Sequence, residues 1–290
     1  MNRDELFKRT RQVLNPQLTA KQAVLVVGAG SGGSRVAEEI VRFGTGRVML
    51  VDRPNETLEE HNIIRHALGY RDMGRSKVAA LRDRLLDIHP QCDVRTHELD
   101  VTRDEAALAE LVSRATLVLL CTDNERSKHA LNAAAVRAAV PMVFAGVFDG
   151  GCGGEVGRVL PGQACYACIA AYLQRSPIAS QADESVETFD YANPASMQQS
   201  TAALNIDIAQ IALLQARVAL LTMLDDPAGE MDGNYLLFGN RAVAGLFPRM
   251  LTSEIWRIPR APACMVCSQG DSGNVDAAAE QLLAAAEVMA

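Results

Sequence analysis

A doubly wound α/β sheet is the fold class this sequence predicts, and three observations predict it. Short, nearly continuous apolar runs alternate with stretches of helical periodicity. A glycine-rich turn follows the first run. An acidic residue closes the second. Residues 24–27, 47–51 and 116–121 ("TLVLLC") read as parallel strands buried on both faces, because they lack the alternation of a half-exposed strand. Helical spacing appears between them. "SRVAEEIVRFG" ends at Gly44, a C-cap residue, and "SKVAALRDRLLDIHP" stops before Pro90. "HALNAAAVRAA" reads as another helix, followed by a strand in "PMVFAGVF".

After Gly154 the pattern changes. Residues 174–200 are polar and contain two prolines, which predicts a long crossover loop or lid. "STAALNIDIAQIALLQARVALLTML" predicts a long helix buried on several sides, and "NYLLFGNR" and "SEIWRIPR" predict two strands. The expected organisation is one domain over residues 1–267, then a linker and an alanine-rich helical tail over 268–290.

The chain of 290 residues is 49% hydrophobic and 22% charged, which supports a sizeable globular core. A net charge of -7 argues against a surface that tracks nucleic-acid phosphates. No apolar run reaches the roughly 20 residues that span a bilayer, so no membrane partner is expected. The start "MNRDELFKRTRQ" lacks the apolar core of a secretion signal, and a cytoplasmic location is expected. In that compartment cysteines are thiols or metal ligands before they are disulfides. Cys92, Cys121 and Cys152 stand alone, whereas Cys165/Cys168 and Cys264/Cys267 form two C-x-x-C pairs. Two such knuckles can satisfy tetrahedral zinc with four thiolates; a redox C-x-x-C is the competing reading.

Gly28, Gly30 and Gly33 satisfy G-x-G-x-x-G in "VGAGSGGS", and Asp52 follows at the end of "GRVMLVD". Glycines let a backbone approach phosphate, and the helix N-terminus supplies N–H groups and partial positive charge. Alone, the pattern fits a NAD or FAD enzyme. The next stretch, "HNIIRHALGYRDMGRSKV", adds Asn62, Arg65 and Lys77, more phosphate contacts than a nicotinamide enzyme needs but suited to a triphosphate. Asp123 in "CTDNERSK" stands just beyond a strand's carboxyl end, placed to hold magnesium. The plainer reading of these residues is solvated charges at Arg65 and Lys77 and a helix N-cap at Asp123.

The ordered set "VGAGSGGS", "LVD", "HNIIRH", "GRSKV", "CTDN", "CYAC" and "CMVC", over roughly residues 11–267, resembles the ThiF/MoeB group, the adenylating domain shared with ubiquitin-activating enzymes. "NIIRHALG" is closest in form to bacterial activating enzymes of ubiquitin-like proteins. The resemblance implies a Rossmann-like mixed sheet with a structural four-cysteine zinc site. It implies that Gly28, Gly30 and Gly33 line ATP, that Asp52 binds its ribose, and that Asn62, Arg65 and Lys77 contact its phosphates. It places magnesium on Asp123, zinc on Cys165, Cys168, Cys264 and Cys267, and an arginine, best matched by Arg11, in the partner subunit's site of a homodimer. The spacer from Arg11 to Gly28 is shorter than the group's usual one.

The implied activity is ATP-dependent adenylation of the C-terminal carboxylate of a ubiquitin-like protein, with a conjugating enzyme as a further partner. The alternatives are adenylation of another carboxylate, on a peptide or a modified tRNA base, and a nucleotide-binding scaffold. One departure stands out. Group members that form a thioester carry a cysteine in the crossover loop, and residues 169–263 contain none. Serines and threonines there have no histidine nearby to activate them. The expectation is therefore an adenylate passed to a partner, with Cys152 an outside candidate for a nucleophile.

Overall fold

The computed structural model describes residues 3–174, 202–226 and 229–268. Eight strands form one sheet in the order β3-β2-β1-β4-β5-β6-β7-β8. These are β1 (Ala23–Val27), β2 (Arg47–Asp52), β3 (Asp93–Glu98), β4 (Leu117–Leu120), β5 (Met142–Val147), β6 (Gly153–Val159), β7 (Tyr235–Gly239) and β8 (Thr252–Trp256). The first five are parallel, and β6 to β8 continue the sheet antiparallel. The predicted mixed, Rossmann-like sheet is the observed one.

Helices cover both faces. Two short N-terminal helices, α1 (Arg3–Leu6) and α2 (Pro16–Thr19), precede β1. Then come α3 (Ser31–Arg42), the single turn α4 (Glu60–Ile63), α5 (Lys77–Ile88), α6 (Glu105–Ser113), α7 (Glu125–Ala138), α8 (Tyr166–Gln174) and α9 (Asn205–Met223). One face of the sheet packs Val24, Val26, Val48 and Leu50 against Val36 and Ile40 of α3, Leu81 and Leu85 of α5, and Ile211 and Ala219 of α9. The other packs Leu25, Val27, Leu120 and Phe144 against Leu108 of α6, Leu131 of α7 and Ile169 of α8. Removing one of these filled side chains to alanine costs about 2–5 kcal/mol.

Two strands were not legible as apolar runs. In β3, "DVRTHE", Val94 alone is fully buried, because the strand is a sheet edge with polar surroundings. In β6, "GGEVGRV", glycines replace the side chains a strand usually shows. A Cβ at Gly157 would lie 2.0 Å from Phe144 Cζ, and one at Gly154 would lie 2.4 Å from the Gly146 carbonyl oxygen. Helix α7 starts four residues before the expected 129, since the Asn124 side chain accepts from the Arg126 N–H at 2.8 Å and caps it.

Helix α9 is, among the described residues, the one helix that by length and composition alone could cross a membrane, with a mean hydropathy of 1.5. That stretch is 61% buried against α3 and the sheet, the pattern of a core helix. The expected lid 174–200 (beyond Gln174) and the expected tail 268–290 (beyond Ser268) lie outside the described residues.

Candidate nucleotide site and cysteine cluster

The parallel strands all deliver their carboxyl ends to one edge, and strand order reverses between β1 and β4. Crevices at such reversals bind ligands. Here β1 runs into Gly28, which sits at φ +98°. A Cβ there would lie 2.7 Å from the carbonyl oxygen of Cys121, just past β4. Gly33 is required for a different reason: its Cβ would lie 1.8 Å from the Gly28 carbonyl oxygen, so only glycine lets α3 pack on the loop. Gly30 caps α3, and nothing lies within 4 Å of where its Cβ would stand. The loop is tight behind and open in front, as an anion cradle at a helix N-terminus must be.

The cradle is pinned from the β2 side. Asp52 Oδ2 accepts the Ala29 N–H at 3.0 Å, and Oδ1 accepts the Arg53 N–H at 2.8 Å. Burial pushes the Asp52 carboxyl up from its ordinary value, with those two N–H donors and the Lys77 charge pulling the other way. Just past Asp52 an open hollow of about 420 Å³ is lined by Arg53, Pro54, Glu56, Asp100 and Arg103. His66, which sequence reasoning missed, holds the loop's other side: its Nε2 lies 2.7 Å from the Ala29 carbonyl oxygen. Ser34 accepts the Ala67 N–H at 3.2 Å, which ties the segment after α4 to α3.

The remaining residues read as phosphate or magnesium contacts fall at the same edge, in different states of commitment. Asn62 accepts the Glu59 N–H at 3.0 Å and so closes the turn of α4. Arg65 is half-buried, one residue before His66. The Lys77 ammonium, at the first position of α5, pairs with Glu56 at 2.8 Å, and Glu56 is also held by Arg53 at 2.6 Å. Burial pushes the Glu56 carboxyl up, but those two cations outweigh it and leave it below its ordinary value. Asp123 is exposed beyond β4, and the cap of α7 is Asn124, so capping does not occupy the Asp123 carboxylate.

Arg11 does not join this group within the chain. Its segment packs at the far end of α3, where Arg3 donates to the Gly44 carbonyl at 2.6 Å and Phe7 meets His89 edge-on at 5.4 Å. A helix of twelve residues puts about 18 Å between that end and the glycine loop.

The two C-x-x-C pairs come together on the opposite face of the sheet. Cys165 Sγ lies 3.6 Å from Cys264 Sγ, Cys168 Sγ lies 3.5 Å from Cys267 Sγ, and all four sulfurs fall within 4.8 Å of one another. Four thiolates at the usual Zn–S length of about 2.3 Å stand about 3.8 Å apart, so the set could hold a tetrahedral metal ion. N–H groups already serve the sulfurs: Ala261 donates to Cys168 at 3.4 Å and Asn132 to Cys165 at 3.6 Å. Burial raises the Cys264 thiol, but the backbone N–H groups of Cys267 and Val266 together with the Cys168 and Cys267 thiols outweigh it and bring it below its ordinary value.

At the lone cysteines burial outweighs the hydrogen bonds present. Burial pushes Cys92 and Cys121 up to about 12 and raises Cys152 as well. Cys152 sits in the β5–β6 hairpin, its carbonyl taken by the N–H groups of Asn240 and Arg241 at 2.9 and 3.1 Å.

The sequence model of one family fits residues 8–253, a range that holds the glycine cradle, Asp52, Asp123 and the first of the two cysteine pairs. The chain belongs to the ThiF family. It is 26% identical over 290 residues to the sulfur carrier protein ThiS adenylyltransferase of Escherichia coli K12, covering 95% of this chain and all of that one. It is 32% identical over 156 residues to a probable adenylyltransferase/sulfurtransferase, MoeZ, of Mycobacterium tuberculosis, covering 51% and 39%. Against ubiquitin-like modifier-activating enzyme 5 of Dictyostelium discoideum it is 28% identical over 184 residues, covering 59% and 48%. The matches thus span about two fifths to half the length of these last two relatives. The Escherichia coli MccB structure with ATP superposes with a TM-score of 0.66 at 18% identity, over 87% of this chain and 68% of that one. At that identity the likeness is one of fold.

Proposed function

We propose that this ThiF-family protein uses ATP to adenylate the C-terminal carboxylate of a ubiquitin-like protein. The observation that carries the reading is the open glycine cradle at the N-terminus of α3, with Lys77 and an uncapped Asp123 at the same sheet edge. The relatives' names support it, since they are adenylyltransferases or activating enzymes of a sulfur carrier or ubiquitin-like modifier.

The chemistry asks little of acids and bases. A C-terminal carboxylate is already ionised at neutral pH, so no general base is needed. Its oxygen forms a bond to the α-phosphorus of ATP, the bridging bond to the β-phosphate breaks, and pyrophosphate leaves. Loop N–H groups, Lys77 and Arg65 offset charge on the phosphates, and alignment supplies the rest of the rate. Asp123 would hold magnesium, which lowers the charge of the triphosphate when bound. The Asp52 end of β2 and the adjoining hollow offer a place for adenosine. On the other face, Cys165, Cys168, Cys264 and Cys267 would hold zinc as a structural clamp, with every ligand position filled by the protein. With the lone thiols held protonated by burial, the adenylate itself is the species handed to a partner.

The far placement of Arg11 fits service to a second subunit's site in a homodimer, because its own site is a helix length away. Exchange of labelled pyrophosphate into ATP, dependent on a glycine-ended ubiquitin-like protein, tests the activity. Asp123→Ala is expected to abolish it. Wild-type exchange at an unchanged rate in that variant would remove Asp123 from the site.

A further inference from the structure

We propose that His66 is a positioning residue that sets the orientation of the Ala29–Gly30 peptide, and through it the phosphate affinity of the cradle. The inference rests on the adenine-nucleotide reading of this site. His66 is 4% exposed, and both of its ring nitrogens are engaged. The Leu68 backbone N–H donates to Nδ1 at 3.1 Å. An N–H can only donate, so Nδ1 carries no proton and the proton of the neutral ring sits on Nε2. Nε2–H then donates to the Ala29 carbonyl at 2.7 Å. The tautomer is fixed by main-chain chemistry rather than by a choice of ring orientation.

A trans peptide holds its C=O and N–H on opposite sides. With the Ala29 carbonyl turned to His66, the Gly30 N–H of the same peptide points away from the imidazole, and the positions a Cβ would take at Gly30 and Gly32 have no neighbour within 4 Å. Asp52 pins the preceding peptide through the Ala29 N–H at 3.0 Å. Two side chains from β2 and the segment after it therefore clamp successive peptides of a loop whose glycines would otherwise let them rotate. Arg35 of α3 donates to the His66 carbonyl at 3.1 Å, which holds the clamp itself to the helix it serves.

The charges around the ring keep it neutral. Burial lowers its proton affinity, the Ala29 bond opposes this, Lys77 of α5 and Arg35 of α3 lower it further, and Asp72 opposes them. A protonated ring would set an Nδ1–H against the Leu68 N–H.

Two substitutions separate the two bonds. His66→Gln places an amide N–H near the Nε2 position and keeps the donor to Ala29. His66→Asn places a carbonyl near Nδ1, keeps the Leu68 bond and loses the donor to Ala29. Binding of ATP and of adenosine to the full chain, by calorimetry or by competition with a fluorescent ATP analogue, provides the readout. For His66→Asn we expect ATP to bind about tenfold more weakly, the size of one misdirected hydrogen bond to a charged ligand. His66→Gln is expected to recover most of that loss. Adenosine, which has no phosphate to meet the cradle, is expected to bind both variants as it binds wild type. Equal ATP affinity in all three proteins would overturn the proposal, as would a parallel loss for ATP and adenosine, which marks general damage to the fold. Failure of wild type to bind ATP would overturn the site reading itself, and the proposal with it.

Discussion

Replacing Cys264 with serine tests the zinc reading of the cysteine cluster, and the structure sets the size of the effect. Cys168 and Cys264 are joined by a chain that leaves α8, runs through α9 and returns through β7 and β8. A cross-link closing a loop of about 100 residues restricts the unfolded chain by about 4–5 kcal/mol. A metal clamp adds its own bond energy, reduced by any binding to the unfolded thiols. Loss of about 4 kcal/mol lowers the melting temperature of a domain this size by about 10 °C. The assay is thermal unfolding of wild type, of wild type after chelation, and of Cys264→Ser, with metal content measured on each. Cys152→Ser is the control, since that half-buried thiol is not one of the four clustered sulfurs. Wild type is expected to carry one zinc per chain, and both perturbations are expected to lower its melting temperature by similar amounts. An unchanged melting temperature after chelation, or a Cys165–Cys264 disulfide in the purified protein, would refute the reasoning.

Other outcomes follow from the lone cysteines, the buried imidazoles and an ion pair. Incubation with ATP and the protein substrate is expected to give no thiol-sensitive conjugate on a non-reducing gel; a conjugate that vanishes in Cys152→Ser would show that thiol to be a nucleophile after all. Stability is expected to fall as pH drops below about 6.5, because burial holds His66 and His89 below the ordinary imidazole value, so the unfolded chain takes up protons first. Both ring nitrogens of His89 lack partners among the described residues, so His89→Phe should flatten that slope in denaturation midpoints; a steeper slope would contradict the account. Arg158 and Asp226 pair at 2.9 Å, and Asp226→Ala is expected to cost about 1.5–3 kcal/mol by urea unfolding, because the guanidinium loses its charge partner and keeps only the Met231 and Gly233 carbonyls. Pairing it with Arg158→Met should recover part of that loss.

The sheet was legible wherever strands are buried on both faces, since Val24, Leu25, Val26 and Val27 can read in no other way than as interior chain. β3 was silent because an edge strand needs few apolar residues, and β6 because its glycines make room for Phe144 and for Ile211 of α9, side chains distant in sequence. The cysteine spacing within each pair announced a ligand set, and the fold supplied the meeting of the pairs across 99 positions. His66 stood inside "HNIIRH" without a role. A single histidine between Arg65 and Ala67 has no role assigned by spacing until the fold shows its ring against Ala29, 37 positions away in sequence. Asn62 shows the converse: its position was legible, but its side-chain oxygen closes a turn of its own helix.

Lys77 shows why sequence reasoning names a site's charges more readily than their working state. A cradle for a triphosphate gathers positive charge, and in the free chain that charge needs a counterion. Glu56 fills that place, accepting from Lys77 at 2.8 Å and from Arg53 at 2.6 Å. The Lys77 side chain is only 14% exposed, so without Glu56 it would carry a poorly solvated cation beside a helix N-terminus that already repels it. On the adenylating reading, a phosphate entering the cradle competes with Glu56 for Lys77 and gains the difference between two ion pairs instead of a whole one. Affinity then depends less on Lys77 than a count of positive side chains suggests, and more on donors that have no competing partner. The Gly30 N–H, turned away from His66 by the Ala29 carbonyl bond, is such a donor, making no hydrogen bond among the described residues.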